Sequence, residues 1–412
     1  MSGTSCTVSG THTIDHLCTL DWSGYDATIA KGAKLTTATG NAYSISAGSL
    51  TVLGTLQAVE GSIDVTTTGD FAVQVSSNSA AAVDIKQGGS FDATVGGNAT
   101  LAGKVFDASG TGGVDGGSIA IDADGSITVS QTVDASGGGE WAYGGSIDLT
   151  GASITTTGLL KAIGTQDGDG GEVNLTATGA CNVNGAINVS SSGEWAWGGA
   201  ITVDCGSLST SSAWDTSGGT EGVGGDIDVT TSGAATSTSS SSWTCTAGGG
   251  GDGCWVTVSG GGDVTIGGDI NASATGTDAS GGAITIGSSA GDVTVGATSL
   301  LQADVGSGGW TNGTIDIGPA CNVEIDGVLD TRTSGVGGGN NSVSYRNSFD
   351  GTAATLRADD SPDGNTIHCP CVDANADLVC DTPLACAVAP STSGGTYQPA
   401  PTLAPMLLTA CP

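Results

Sequence analysis

The sequence predicts an all-β fold: a single-stranded parallel β-solenoid (β-helix) of about a dozen coils, three short strands per coil, ending in a disulfide- and Pro-rich C-terminal tail. Three observations predict it. Gly fills 73 of 412 positions while the good helix formers are scarce, so helices are disfavoured. Short runs of alternating apolar and polar residues recur between Gly, Asn and Asp, as half-buried strands do. The same landmarks return at a nearly fixed interval, the mark of a repeat architecture.

The first landmark is apolar–polar–small–polar. It reads Phe106-Asp107-Ala108-Ser109, Val133-Asp134-Ala135-Ser136, Leu160-Lys161-Ala162-Ile163, Ile187-Asn188-Val189-Ser190 and Trp214-Asp215-Thr216-Ser217, with first residues 27 apart. It loosens through Trp243, Ile270, Leu301 and Leu329. The second is a Gly pair opening a strand: GGSIAI at Gly116, GGSIDL at Gly144, GGEVNL at Gly170, GGAITV at Gly198, GGDIDV at Gly224 and GGAITI at Gly281. Its inward row is read as Ile119, Ile147, Val173, Ile201, Ile227, Trp255, Ile284, Ile315 and Val343. A third alternating run lies between them, as in Ile127-Thr128-Val129 and Val264-Thr265-Ile266. One such repeat cannot bury its own apolar face, whereas stacked repeats share a continuous core.

Residues 21–105 show the same alternation at a shorter interval, nearer 20 than 27, as AYSIS at Ala42 and GSIDV at Gly61. The expected organisation is therefore an N-terminal cap at 1–20, a short-coil part at 21–105, regular coils at 106–350 and a Cys/Pro-rich cap or assembly arm at 351–412. Stacked at ~4.8 Å per coil, a dozen coils make a rod of roughly 50 to 65 Å.

The GGSIAI, GGSIDL and GGAITV strands, over about residues 20 to 350, resemble the right-handed parallel β-helix superfamily, and within it the filamentous-haemagglutinin-like repeats of secreted bacterial surface proteins. The resemblance implies right-handed coils and a secreted setting.

Stacking turns equivalent positions into ladders. Asp107, Asp134, Lys161, Asn188, Asp215, Thr244, Asn271, Gln302 and Asp330 form one, in which Lys and amides keep like charges apart. The reading is a solvated ladder that fixes register, with a cation-binding row as the alternative. The loop after it reads GEWAYGG at Gly139 and GEWAWGG at Gly193, two coils apart, with TQDGDGG at Thr165 between. Trp141, Tyr143, Trp195 and Trp197 are thus expected along one edge with Glu140, Asp167, Asp169, Glu194 and Glu221, and Trp310 extends it. The indoles either cover the smaller loops or form a strip for sugar rings or a partner subunit.

Twelve Cys in an acidic, Lys-poor chain point to an oxidising compartment. Cys6 and Cys18 are candidates for an N-terminal staple, Cys181 and Cys205 for a bridge between consecutive coils, and Cys245 and Cys254 for closure of the Ser-rich insertion. Cys321 has no obvious mate, and Cys369, Cys371, Cys380 and Cys386 gather in the tail. There, Asp373, Asn375, Asp377 and Asp381 have the alternating spacing of a short calcium loop. The loop resembles the repeats of the thrombospondin type 3 family, although Leu378 replaces the usual Gly. A calcium site and a disulfide-closed acidic loop are both open.

With 41 acidic against 8 basic residues the formal charge is -33, which excludes a nucleic-acid binder. No apolar run approaches the roughly 20 residues of a membrane span. Met1 to Thr13 lacks the basic start and apolar stretch of a signal peptide, so a secreted chain has lost its signal. The dispersed basic residues do not predict a polysaccharide lyase, and no enzymatic activity is expected. The expected function is structural: a secreted protein, extracellular or on the cell surface, for surface attachment or head-to-tail fibre assembly with other copies of itself. The alternatives are a calcium-dependent adhesin for surface polysaccharide and, behind it, a polysaccharide lyase or hydrolase, whose paired carboxylates would be hidden among the 41 acids.

Overall fold

A computed structural model describes residues 5–76, 79–80, 82–306, 309, 313–332, 339–358, 364–371, 396–398 and 402–407. The described chain is all-β and forms a parallel β-solenoid of about 12 turns. It divides into two compact units, Met1–Cys205 and Gly206–Pro412.

In the first unit each regular coil has three faces. One carries Ser62–Thr67, Ser90–Val95, Ser118–Ala123 and Ser146–Gly151. Phe91, Ile119, Ile147 and Val173 lie in register on it, as do Ala93, Ile121, Leu149 and Leu175. The second face carries Ala99–Ala102, Ser126–Val129 and Ser153–Thr156. The third carries Lys34–Thr36, Thr55–Gln57, Ala82–Asp84, Val105–Asp107, Thr132–Asp134, Leu160–Lys161 and Ile187–Asn188. In some coils the first two faces run together as one bent strand, such as Glu172–Val183. The inward positions are buried and the alternate ones face water, which is why the alternation was readable. An antiparallel pairing of Val75 with Ala80 interrupts the parallel pattern and lengthens one early coil.

The second unit repeats the scheme. Its first face includes Asp226–Thr231, Trp255–Gly260 and Ala283–Ser288, and its third Ala213–Asp215, Ser242–Thr244, Asp269–Asn271, Leu300–Gln302, Val328–Asp330 and Thr355–Arg357. Trp214 and Trp243 stack inside it, ring centroids 4.6 Å apart and planes within 4°. Two members of the predicted inward row are displaced. Val256, not Trp255, pairs with Ile227 and Ile284, and Ile315 pairs with Asn341 rather than Val343. Trp255 therefore faces water at 59 % exposure. Asn341 is buried, and its Nδ2 donates to Asn365 Oδ1 at 2.9 Å.

The polar ladder forms within each unit. In the first, Asp84, Asp107, Asp134, Lys161 and Asn188 are successive partners. In the second, Asp215, Thr244, Asn271, Gln302 and Asp330 are. Most ladder carboxylates and amides also turn the chain. Asp107, Asp134 and Asn188 each accept from the backbone N–H two residues on, at 3.0–3.1 Å, an Asx-type turn. Basic side chains of the chain itself reach the ladder. Lys86 pairs with Asp107 at 3.0 Å and Lys161 with Asp134 at 3.2 Å. In the second unit Arg332 and Arg357 reach Asp330 at 2.7 and 3.3 Å. Burial alone would push the Asp330 carboxyl up, but the two guanidinium groups hold it below the ordinary carboxylate range.

A second column of carboxylates lies on the first face, where Asp64 and Asp92 are partners and Ala120 separates Asp92 from Asp148, whose Oδ1 accepts from Asn174 Nδ2 at 2.7 Å. Burial raises the Asp92 carboxyl, and Asp64 and Asp148 raise it further. Its folded pKa thus lies above its unfolded one, so the folded state holds the extra proton. The cost at neutral pH disappears as pH falls through the raised value. Asp92→Asn is expected to stabilise the first unit at pH 7 by about 0.5 kcal/mol or less, given solvent screening. The gain should vanish below pH ~4, and denaturant midpoints across that range check it.

Both mid-chain disulfides form. Cys181–Cys205 joins consecutive coils through the core, with the Cα atoms 6.1 Å apart. Cys245–Cys254 closes a loop, Cα atoms 5.7 Å apart. That loop follows the ladder strand, and the Ser-rich stretch 237–242 lies ahead of it rather than inside it. Cys6 and Cys18 are not joined: both are free thiols. Cys6 pairs with Ala27 and Cys18 with Tyr43, so they stand at opposite ends of the same long strand, Cys18–Ile29. Cys321, without an apparent mate in the sequence, is disulfide-bonded. The side chains of Cys369 and Cys371, and all of Cys380 and Cys386, lie outside the described residues.

Candidate functional site

The long loops of the first unit leave the solenoid after the ladder strand and return at the Gly pair. Each loop is pinched at its base. Gly117 N–H donates to Ala108 O at 2.8 Å, Gly145 to Ala135 at 2.7 Å, Gly171 to Ala162 at 2.7 Å and Gly199 to Val189 at 2.8 Å. At this base neighbouring coils approach so closely that a side chain has no room. A Cβ on Gly144 would meet Ala162 O at 2.1 Å, and one on Gly145 would meet Gly117 O of the preceding coil at 1.8 Å. The pairs beginning at Gly116, Gly144 and Gly170 floor a groove of about 450 Å³, with Ser118, Ser146 and Glu172 along one side.

Above the pinch, four aromatic side chains stand in solvent: Trp141 at 61 %, Tyr143 at 48 %, Trp195 at 61 % and Trp197 at 59 % exposure. They do not lie buried over the smaller loops. Their backbones are fixed by those loops. Trp141 N–H donates to Gln166 O at 2.8 Å. Asp115 Oδ1 accepts from Tyr143 N–H at 2.9 Å, and Asp169 Oδ1 accepts from Trp197 N–H at 2.8 Å. Asp167 Oδ1 accepts from the N–H groups of Glu194 and Trp195. Thr165 adds a further clamp, its Oγ1 accepting from Gly139 N–H at 3.1 Å and donating to Gly139 O at 2.9 Å. Trp141 is held at φ 60°, a conformation rare for a bulky residue and one found at binding sites.

The structure thus brings Trp141, Tyr143, Trp195 and Trp197 onto loops of one edge and gives the acids two different duties. Asp167 and Asp169 spend a carboxylate oxygen on the backbone of the next loop, whereas Glu140 and Glu194 are exposed beside the indoles. Glu221 belongs to the second unit, and Trp310 and the calcium-loop residues Asp373, Asn375, Asp377 and Asp381 lie outside the described residues. Sequence reasoning missed Asp115. A signal for it existed: the residue before the Gly pair alternates as Asp115, Tyr143, Asp169, Trp197, carboxylate then aromatic, so that each carboxylate coil secures the aromatic coil stacked on it.

No protein-family model, curated protein or solved structure matches the chain. The site is therefore read from its own chemistry. Among the described residues no group of three or more His, Cys, Asp or Glu converges as metal ligands. What the edge offers is flat apolar area on a fixed backbone.

In one coil of the second unit the loop base is made differently. Trp243 pairs with Ile270 and Trp255 with Ala283, so Cys245 and Cys254 occupy the places of Ala272 and Gly282. The latter two are linked by a hydrogen bond of 3.0 Å, and the disulfide stands in for it. Cys245→Ala with Cys254→Gly rebuilds the neighbouring coil's closure and is expected to cost about 1–2 kcal/mol. Cys181→Ala with Cys205→Ala opens a longer loop and two core positions and is expected to cost about 3 kcal/mol or more. Equal losses in denaturant unfolding would contradict this account.

Proposed function

We propose that this chain is a secreted structural protein whose β-solenoid presents an aromatic edge for attachment to an extracellular or cell-surface polysaccharide. The observation that carries the reading is the exposure of Trp141, Tyr143, Trp195 and Trp197 on loops clamped from below by Asp115, Asp167 and Asp169. A rigid aromatic platform loses little entropy on binding, and indole faces suit the C–H faces of sugar rings. The disulfides fit an oxidising compartment, and the likeness of the Gly-Gly strands to filamentous-haemagglutinin-like repeats supports a surface role. Lys86, Lys161, Arg332 and Arg357 are all engaged by ladder carboxylates, which favours binding over lyase chemistry. The charge of -33 opposes the packing of copies on one another, which favours attachment over fibre assembly.

The test is retention of purified protein on polysaccharide-coated and cell-envelope-coated sensor surfaces. Replacing all four aromatics by Ala is expected to reduce retention at least tenfold while leaving the far-UV spectrum unchanged. Undiminished retention would overturn the reading.

A further inference from the structure

The ligand class can be taken further, on the footing of the attachment reading. The aromatic loops are two coils apart, because the Gln166-Asp167 loop lies between them. At ~4.8 Å per coil, Trp141 and Trp195 are therefore separated by about 10 Å along the solenoid axis, as are Tyr143 and Trp197. The clamps fix this step, since Asp167 joins the intervening loop to Trp195 and Gln166 joins it to Trp141.

A polymer read by this edge must offer equivalent flat faces at the same step. An extended β-1,4-linked hexopyranose chain does so. Successive sugars are flipped, alternate sugars turn the same face to one side, and two sugars span about the two-coil step. A helical α-1,4-linked chain turns its faces away from any straight edge. Charge narrows the class further. Glu140 and Glu194 stand exposed beside Trp141 and Trp195, in a chain of net charge -33, so polyuronates and sulfated glycans are repelled. The same acids oppose a second copy of this chain as occupant.

We propose that the aromatic edge of the first unit binds an uncharged, extended β-1,4-linked glycan lying parallel to the solenoid axis. Alternate sugars stack on the aromatics of alternate coils, and the intervening sugar spans the Gln166-Asp167 loop.

The test is titration of the full chain with cello-oligosaccharides of two to six sugars, followed by indole fluorescence and calorimetry. Only chains of three or more sugars reach both aromatic loops, so affinity is expected to rise at least tenfold from the disaccharide to the tetrasaccharide, through effective concentration. Trp195→Ala with Trp197→Ala is expected to abolish that rise and to leave the disaccharide affinity within about threefold. The wild-type length series stands without the variant. Absence of a length effect, or equal binding of malto-oligosaccharides or polygalacturonate, would overturn the ligand class. So would an aromatic-dependent dimer in sedimentation, which would make a second copy the occupant. If retention on coated surfaces still depends on the four aromatics while the cello-oligosaccharides fail, the ligand class falls and attachment stands. If retention is also independent of them, both fall.

Discussion

Gly145→Ala is expected to destabilise the first unit by about 3 kcal/mol, at the upper end for overpacking by one methyl. The added Cβ would lie 1.8 Å from Gly117 O and 2.8 Å from Gly116 C and Gly117 C. All three are backbone atoms of the preceding coil, so no rotamer change relieves the clash. Gly145 N–H donates to Ala135 O at 2.7 Å, and Glu172 N–H donates to Gly145 O at 2.9 Å. Moving the coils apart to admit the methyl would stretch the hydrogen bond that ties this coil to the preceding one, from Ser146 N–H to Gly117 O at 3.1 Å. The requirement is for space rather than for an unusual backbone angle. A control separates the two: Gly112 has φ 69° and nothing within 4 Å of its virtual Cβ, so Gly112→Ala is expected to cost about 1 kcal/mol. Denaturant midpoints of the two variants decide the matter. Similar losses would mean that the Gly pairs are not the close contact between coils. The same variant should weaken the aromatic edge, because Gly144 and Gly145 follow Tyr143 directly.

The Gly pair was legible in the sequence because the close approach of neighbouring coils leaves no room for a side chain, and it therefore recurs at most coils from Gly116 to Gly281. The three faces were legible for the same reason: Phe106, Val133 and Leu160 return at a fixed interval and are partners in the third face. The one-residue error at Trp255 arose where Gly253-Cys254 replaces the Gly pair. In a strand a shift of one residue exchanges core for solvent, and with Cys in the landmark the large apolar Trp255 seemed the inward residue. The roles of Asp115, Asp167 and Asp169 were hidden for a different reason. Among 41 acidic residues a carboxylate that accepts backbone N–H groups looks like one that faces water, and only the stacking of loops distinguishes them. The unjoined pair Cys6 and Cys18 shows the limit of proximity in sequence. A strand between two thiols holds them apart, whereas Cys181 and Cys205 are brought together by one turn of the solenoid.

Trp214→Ala should produce the largest loss in the second unit, about 4 kcal/mol. Both stacked indoles are buried, Trp214 at 0 % and Trp243 at 2 % exposure, in a coil interior whose other buried side chains are smaller, among them Leu208, Thr216, Ile227, Val229 and Ala235. Removing one leaves a void the width of an indole between Trp243 and the remaining coil. The strands around it cannot collapse into the space, because their spacing is fixed by hydrogen bonds to the coils on either side. The loss has two further parts: the stacking itself, about 1 kcal/mol, and the hydrogen bond from Trp214 Nε1 to Ser212 Oγ at 3.1 Å. Because the two rings share one contact, Trp243→Ala should cost less when Trp214 is already Ala, with a coupling of about 1 kcal/mol or more. Trp255 supplies the comparison. It carries the same side chain on the neighbouring coil but faces water, so Trp255→Ala should change stability by no more than about 0.5 kcal/mol. Unfolding of the three variants, followed by amide hydrogen exchange in Ala213–Asp215 and Ser242–Thr244, measures this. Were Trp214→Ala and Trp255→Ala to cost alike, the inside and outside of the second unit would have been exchanged, and with them the stacking from which every ladder and loop position here is read.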